Sequence, residues 1–291
     1  MVRRLLIVCL LLFICQINNA QIKRALVIGL GKQLDPNWAK INGDKDVPIV
    51  TELLLNSGFG KGNIMTLINE HATKKGIVTA FGKLTRQCKK GDIVYVHFSG
   101  HGQRVTDVDG DDDDGWDESW IPYDAYRDYC IRDRGEKHLI DDEVYAFLMD
   151  IKRIIGSKGK IMVVVDACHS GGSSFGLNNF SYSYDIQKYK TDVNIRGVFT
   201  PFVIPYKAVS KTIKVPEQWI TLSACKSNQV NQEMNSPHVG ILSYALYSIA
   251  RKGKVKIDKI INFVENNKGP YPQTPTLTGE VDKFNISDVL K

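Results

Sequence analysis

The sequence predicts an α/β fold of three layers (α/β/α) around a central, mostly parallel six-stranded sheet, and three observations carry that prediction. Two continuous apolar runs, Ile93–Phe98 and Ile161–Val165, read as strands buried on both faces, as a parallel sheet covered by helices requires. Strand and helix patterns alternate through the first part of the chain. Each apolar run then breaks into a glycine-bracketed loop carrying a reactive side chain, His101 after the first and Cys168 after the second. Parallel strands deliver such loops to one edge, where open α/β sheets bind their ligands.

Taken in order, Ile22–Leu30 is the first strand, broken into a loop by Gly29 and Gly31. A helix follows from Asp44 to Asn56: Asn42 or Asp44 can cap it, Val47, Val50, Leu53 and Leu54 recur at helical spacing, and Gly58 stops it. Ile64–Ile68 is a short strand and Thr73–Lys89 a helix with Ile77, Phe81 and Leu84 on one face, before the strand that leads to His101. From Asp107 to Glu118 eight of twelve residues are acidic, which reads as a solvated, self-repelling loop whose glycine is out of frame for an EF-hand. Trp120–Asp124 resumes order, and Leu139–Glu143 opens a helix to about Ile155, its first-turn carboxylates favoured by the helix dipole. The Cys168 strand comes next. Residues 173–217 show no sustained period and read as a long connection with exposed basic residues at Lys188, Lys190, Arg196, Lys207 and Lys211. Trp219–Ala224 is a strand, Val239–Arg251 an amphipathic helix and Ile257–Asn266 the last helix. Gln273–Gly279 ends the sheet as an edge strand, where Pro275 is tolerated.

Composition narrows the function. The 291 residues are 43% hydrophobic and 24% charged, enough for one large or two small domains with a core. A net charge of +6, interrupted by the acidic run, does not make a nucleic-acid-binding surface. Met1–Arg4 is positive, Leu5–Ile14 apolar and Asn18–Ala20 a candidate cleavage site, so residues 1–20 read as a secretory signal, with an uncleaved anchor as the alternative. That places residues 21–291 in a secreted, periplasmic or cell-surface setting; no later stretch is long and apolar enough to cross a membrane. Beyond the signal stand Cys88, Cys130, Cys168 and Cys225, without zinc-site spacing and too sparse for a disulfide scaffold, though one bridge has room to form.

Alone, Cys168 reads as a core cysteine and His101 as a loop histidine. Two matching strand ends on one edge make them a nucleophile and its base: the imidazole takes the thiol proton and later protonates a leaving amine. Backbone N–H groups at Gly102 and Cys168 are the candidate oxyanion donors.

These residues carry a family resemblance. Tyr95-Val96-His97-Phe98-Ser99-Gly100-His101-Gly102 and Asp166-Ala167-Cys168-His169-Ser170-Gly171 resemble the two catalytic motifs of the metacaspases and bacterial caspase-like peptidases. The resemblance implies a caspase-like fold with a large-subunit-like part, residues 21–172, a variable linker, 173–217, and a small-subunit-like part, 218–291. True caspases carry Gln-Ala-Cys around their cysteine, and here Asp166 stands at the Gln position. A carboxylate there favours Arg or Lys at P1. The resemblance implies an S1 pocket of Asp166, Ser99 and the Asp of a Gly-x-x-Asp-Val motif, Asp46 in Gly43–Val47, whose other role would be to stabilise the helix N-terminus. It also implies a calcium site at Asp117, Asp141 and Asp142, although a further Asp expected after the cysteine loop is replaced by Ser173-Ser174-Phe175. Leu222–Gln229 resembles the small-subunit motif bordering the cleft, with Cys225 in the core.

The expectation is a monomeric cysteine endopeptidase acting on protein or peptide substrates with a basic P1, needing no cofactor for its chemistry, with calcium as an activator. The competing reading is a catalytically silent, calcium-responsive interaction protein of the same fold.

Overall fold

A computed structural model of the chain describes residues 21–110, 115–168, 195–197, 200–205 and 216–290. The signal segment, Asp111–Asp114, the loop from His169 onward and Lys188, Lys190, Lys207 and Lys211 lie outside the described residues.

The central sheet has six strands: β1 (Lys23–Gly29), β2 (Ile64–Ile68), β3 (Ile93–Ser99), and, after a small second sheet, β7 (Lys160–Asp166), β8 (Ile220–Ser223) and β9 (Thr276–Gly279). Their order across the sheet is β2-β1-β3-β7-β8-β9, all parallel except β9. Strand alternation divides the core in two. Ala25, Val27, Ile93, Tyr95, Met162 and Val164 face helices α1 (Gly43–Asn56), α4 (Ile241–Ala250), α5 (Ile257–Asn267) and the short α6 (Ile286–Val289). Leu26, Ile28, Val94, Val96, Ile161, Val163 and Val165 face α2 (Lys74–Gln87) and α3 (Asp141–Ile155). Each such aliphatic side chain contributes about 1.5–3 kcal/mol on full burial, and this two-sided burial is why the strands lack polar alternation.

Several expectations change. Gly102–Thr106 (β4), Trp116–Trp120 (β5) and Leu139–Ile140 (β6) form a second, antiparallel sheet, so the acidic stretch is not one loop: its far end is a strand in which Asp117 and Glu118 are buried. Charge density misled here because the trailing Trp116–Trp120 pairs with β4 residue by residue. Pro275 precedes β9 instead of standing in it, and α6 follows the helix expected to be last. Asn42 occupies the N-cap of α1 without capping it, because its side chain is engaged elsewhere. Among the described residues, Cys88, Cys130 and Cys168 are free thiols.

Candidate active site

Three strand ends coincide. Gly29 lies opposite Ser99, and Ser99 opposite Asp166, so the loops after β1, β3 and β7 leave from one edge. Two glycines seat α1 there. A Cβ on Gly29 would lie 2.4 Å from the Gly43 carbonyl oxygen, and one on Gly43 would lie 2.5 Å from the carbonyl oxygens of Leu30 and Ser99. This close approach lowers Asp46, in the first turn of α1, onto Ser99, whose hydroxyl donates to Asp46 Oδ2. The Gly240 amide donates to Asp46 Oδ1 at 2.8 Å. Asp166 Oδ2 accepts from the Ser243 amide at 2.9 Å and its hydroxyl at 2.6 Å, and Oδ1 accepts from Asn231 Nδ2 at 2.7 Å. Asp46, Ser99 and Asp166 thus converge, all fully buried.

Arg196 fills the pocket they form. The sequence placed it among exposed residues of a connection; it is 0% exposed instead. Its Nη1 donates to Asp46 Oδ2 at 2.8 Å and to Ser99 Oγ at 2.5 Å, and lies 3.4 Å from Asp166 Oδ1. Its Nε donates to Glu233 Oε1 at 2.9 Å. Glu233 is held in turn by Asn42, whose amide and Nδ2 donate to its two oxygens at 2.7 and 2.5 Å. A buried guanidinium is stable only when carboxylates compensate its lost hydration, and three do so here. Burial alone would lower the Arg196 pKa, but Asp46, Asp166 and Glu233 raise it above the ordinary arginine range. Burial pushes Asp46 up to about 6 against the pull of Arg196. Burial also acts upward on Asp166, yet Arg196 and the Ser243 and Asn231 hydrogen bonds outweigh it and leave its pKa lowered.

The backbone around Arg196 is laid out along the cleft. Ile195 forms an antiparallel bridge with Gln232, the Arg196 amide donates to the Asn231 carbonyl at 2.9 Å, and the Arg196 carbonyl accepts from the Cys168 amide at 2.9 Å. Gly197 follows at φ +128°, where a Cβ would meet Cys168 Cβ at 2.4 Å and Sγ at 3.0 Å.

The two loops touch as expected: a Cβ on Gly102 would lie 2.0 Å from the Cys168 carbonyl oxygen, so only glycine permits the approach. His101 Nε2 donates to the Ala39 carbonyl at 2.8 Å, which fixes the tautomer and leaves Nδ1 as the basic nitrogen, without a hydrogen-bond partner among the described residues. Trp38 stacks on the ring with centroids 4.9 Å apart. Cys168 Sγ accepts from the Asn231 amide at 3.2 Å. Burial lowers the His101 pKa to about 4 and raises that of Cys168 to about 12, so with the cleft filled both groups are neutral.

Asp117 lies on β5, and Asp141 and Asp142 open α3 directly after β6, the neighbour of β5. Among the described residues they do not converge into a group able to hold a metal ion, so no step is routed through calcium. Sequence reasoning missed Glu233, Asn231, Ser243, Trp38 and Ala39. The signal for the first two was an Asn-Gln-Glu run just beyond Leu222–Gln229, the stretch read as bordering the cleft. Nothing local marked the others.

A family model described as the metacaspase, peptidase C14 domain matches residues 23–174, more than half of the chain and both catalytic-type strands. The chain belongs to the metacaspase family. It is 24% identical to Metacaspase-1A of Aspergillus niger, over 88% of this chain and 70% of that protein. It is 29% identical to Metacaspase-1 of Plasmodium falciparum over 83% of this chain and 36% of that protein. The chain spans about a third of the length of most of these curated relatives, for example 34% of Metacaspase-1B from Aspergillus oryzae. Among solved structures, a Geobacter sulfurreducens protein superposes with a TM-score of 0.62 at 24% identity, covering 88% of this chain and 92% of that one. Caspase-1 from Spodoptera frugiperda superposes with a TM-score of 0.54 at 10% identity, covering 89% and 86%. These last likenesses establish the caspase-like fold. The stretch that the family model matches holds both His101 and Cys168.

Proposed function

We propose that the chain is an endopeptidase that cleaves protein or peptide substrates after Arg or Lys, with Cys168 as nucleophile, His101 as base and acid, and Asp46, Ser99 and Asp166 holding the P1 side chain. The supporting observation is Arg196, a basic side chain already seated on all three pocket residues. Cys168 Sγ attacks the P1 carbonyl carbon and its proton passes to His101 Nδ1. The oxyanion accepts from the Cys168 amide, as the Arg196 carbonyl does, and from the Gly102 amide. His101 protonates the departing amine, and water then hydrolyses the thioester, returning the thiol. Calcium enters as an activator, outside these steps, and residues 1–20 as the export signal of a protein that works as a monomer outside the cytoplasm.

The test is purified protein beginning at residue 21, assayed on peptides ending in Arg, Lys or Asp, with calcium or with chelator, beside Cys168→Ala. Hydrolysis after Arg or Lys that disappears in the variant is expected. Hydrolysis after Asp would overturn the pocket, and folded protein inert under every condition would favour the silent interaction protein. Rate loss in chelator would establish the activator, gel filtration reads the mass, and fusion of residues 1–20 to a reporter tests export.

A further inference from the structure

Building on that reading, we infer that Glu233, held in place by Asn42, makes the pocket select Arg over Lys at P1. The Arg196 guanidinium stands where that of a P1 arginine would, and its contacts show how the pocket meets such a group. They divide between two sets of acids. Nη1 reaches Asp46, Ser99 and, at 3.4 Å, Asp166, the three residues of the proposed S1 pocket. Nε donates elsewhere, to Glu233 Oε1 at 2.9 Å.

The two sets read different properties of the side chain. Asp46 and Asp166 attract any cation that enters, because Coulomb attraction does not tell an ammonium from a guanidinium. Glu233 reads a donor that lysine lacks. Counted along the side chain, lysine has its Cε methylene where arginine has Nε, and its Nζ where arginine has Cζ, one bond short of Nη1. A lysine in the same pose therefore turns a methylene toward Glu233 Oε1 and stops short of Asp46 and Ser99.

Glu233 cannot swing to follow it. The Asn42 amide and Nδ2 donate to its two oxygens at 2.7 and 2.5 Å, and its backbone bridges to Gly240, whose amide holds Asp46. Asn42 stands immediately before α1, whose first turn carries Asp46, so one helix end sets both the acid that reads charge and the acid that reads Nε. The Glu233 side chain is 1% exposed, and a bound lysine would leave it buried without its charged hydrogen bond. Asn42 acts through Glu233 and is a positioning residue.

The experiment measures kcat and KM on two peptides that differ only in Arg or Lys at P1, for wild type, Glu233→Gln and Asn42→Ala, with Cys168→Ala as the blank. Wild type is expected to favour Arg by at least about tenfold in kcat/KM, the worth of one hydrogen bond to a charged group. Glu233→Gln should erase most of that ratio through a rise in KM for Arg alone, since the contact binds the side chain without touching the reacting atoms. Asn42→Ala should shift the ratio the same way to a smaller extent, because the carboxylate stays but is freed to turn. A wild-type ratio near one, which needs no variant to fold, would overturn the inference and leave the peptidase reading standing. Equal losses on Arg and Lys in Glu233→Gln would do the same by assigning Glu233 a structural role. Absence of Cys168-dependent hydrolysis of either peptide would overturn both.

Discussion

The amide of Cys168 donates to the carbonyl oxygen of Arg196 at 2.9 Å, so the backbone of the proposed nucleophile holds a carbonyl of its own chain beside its sulfur. Under that cover Cys168 is 4% exposed and its thiol is pushed up to about 12 by burial. Thiolate is the reactive form, and well below such a pKa its fraction falls about tenfold per pH unit. Iodoacetamide at about pH 8 should therefore label the partly exposed Cys130 well before Cys168, read by peptide mass. Raising the pH should speed the labelling of Cys168. Equal labelling of the two would show that the segment does not cover the thiol.

Ser243 supports the pocket from behind. It gives Asp166 two hydrogen bonds, and its hydroxyl also meets His97 Nε2 at 3.1 Å. Hydrogen bonds to a buried charge are worth about 1.5–3 kcal/mol. Ser243→Ala should lower kcat/KM on Arg peptides roughly tenfold to a hundredfold, mainly through KM, because the role proposed for Asp166 is to bind the P1 side chain and not to react. A loss confined to kcat would assign Ser243 to the chemistry instead.

Trp38 shields the proposed base, His101. Burial, to which its stacking contributes, holds His101 near a pKa of about 4. Trp38→Ala lets water reach the ring and should raise that pKa toward the ordinary value of about 6.5. A base must be neutral to act, so the acid limb of kcat/KM should move to higher pH. A limb that stays where it was would remove Trp38 from this role.

Gly43 and Gly62 give a matched pair. A Cβ at Gly43 would press on two carbonyl oxygens at 2.5 Å, whereas nothing lies within 4 Å of one at Gly62. Gly43→Ala should lower Tm by several degrees, the equivalent of about 1–3 kcal/mol of overpacking, and lower kcat/KM as Asp46 is lifted off Ser99. Gly62→Ala should leave both close to wild type. Identical behaviour of the two would mean that α1 is not seated by glycine contact.

Much of this was legible in sequence because it is written in local periods. The runs Ile93–Phe98 and Ile161–Val165 could only be two-sided buried strands, and their glycine loops put His101 and Cys168 on one edge. Asp46 was legible only through the resemblance of Gly43–Val47 to a Gly-x-x-Asp-Val motif, since its place in the first turn of a helix by itself speaks for dipole stabilisation. The hairpin of β4 and β5 was not, since a run of aspartates outweighs, by composition, the strand that follows it. Arg196 was misread for a similar reason. A lone arginine in a polar connection looks solvated until the acids that surround it are known.

By itself, then, the sequence determined the layered fold, the sheet edge that bears the chemistry, and the residue types at its two loops, because strand and helix periods and glycine breaks are properties of neighbours along the chain. Only the tertiary structure decided that Asn42 and Glu233, 191 positions apart, make the fourth wall of the pocket, and that Arg196, 150 positions from Asp46, fills it. Such contacts depend on strand register and on which distant segment the closing fold lays over the edge, and a buried charge finds its partners only there.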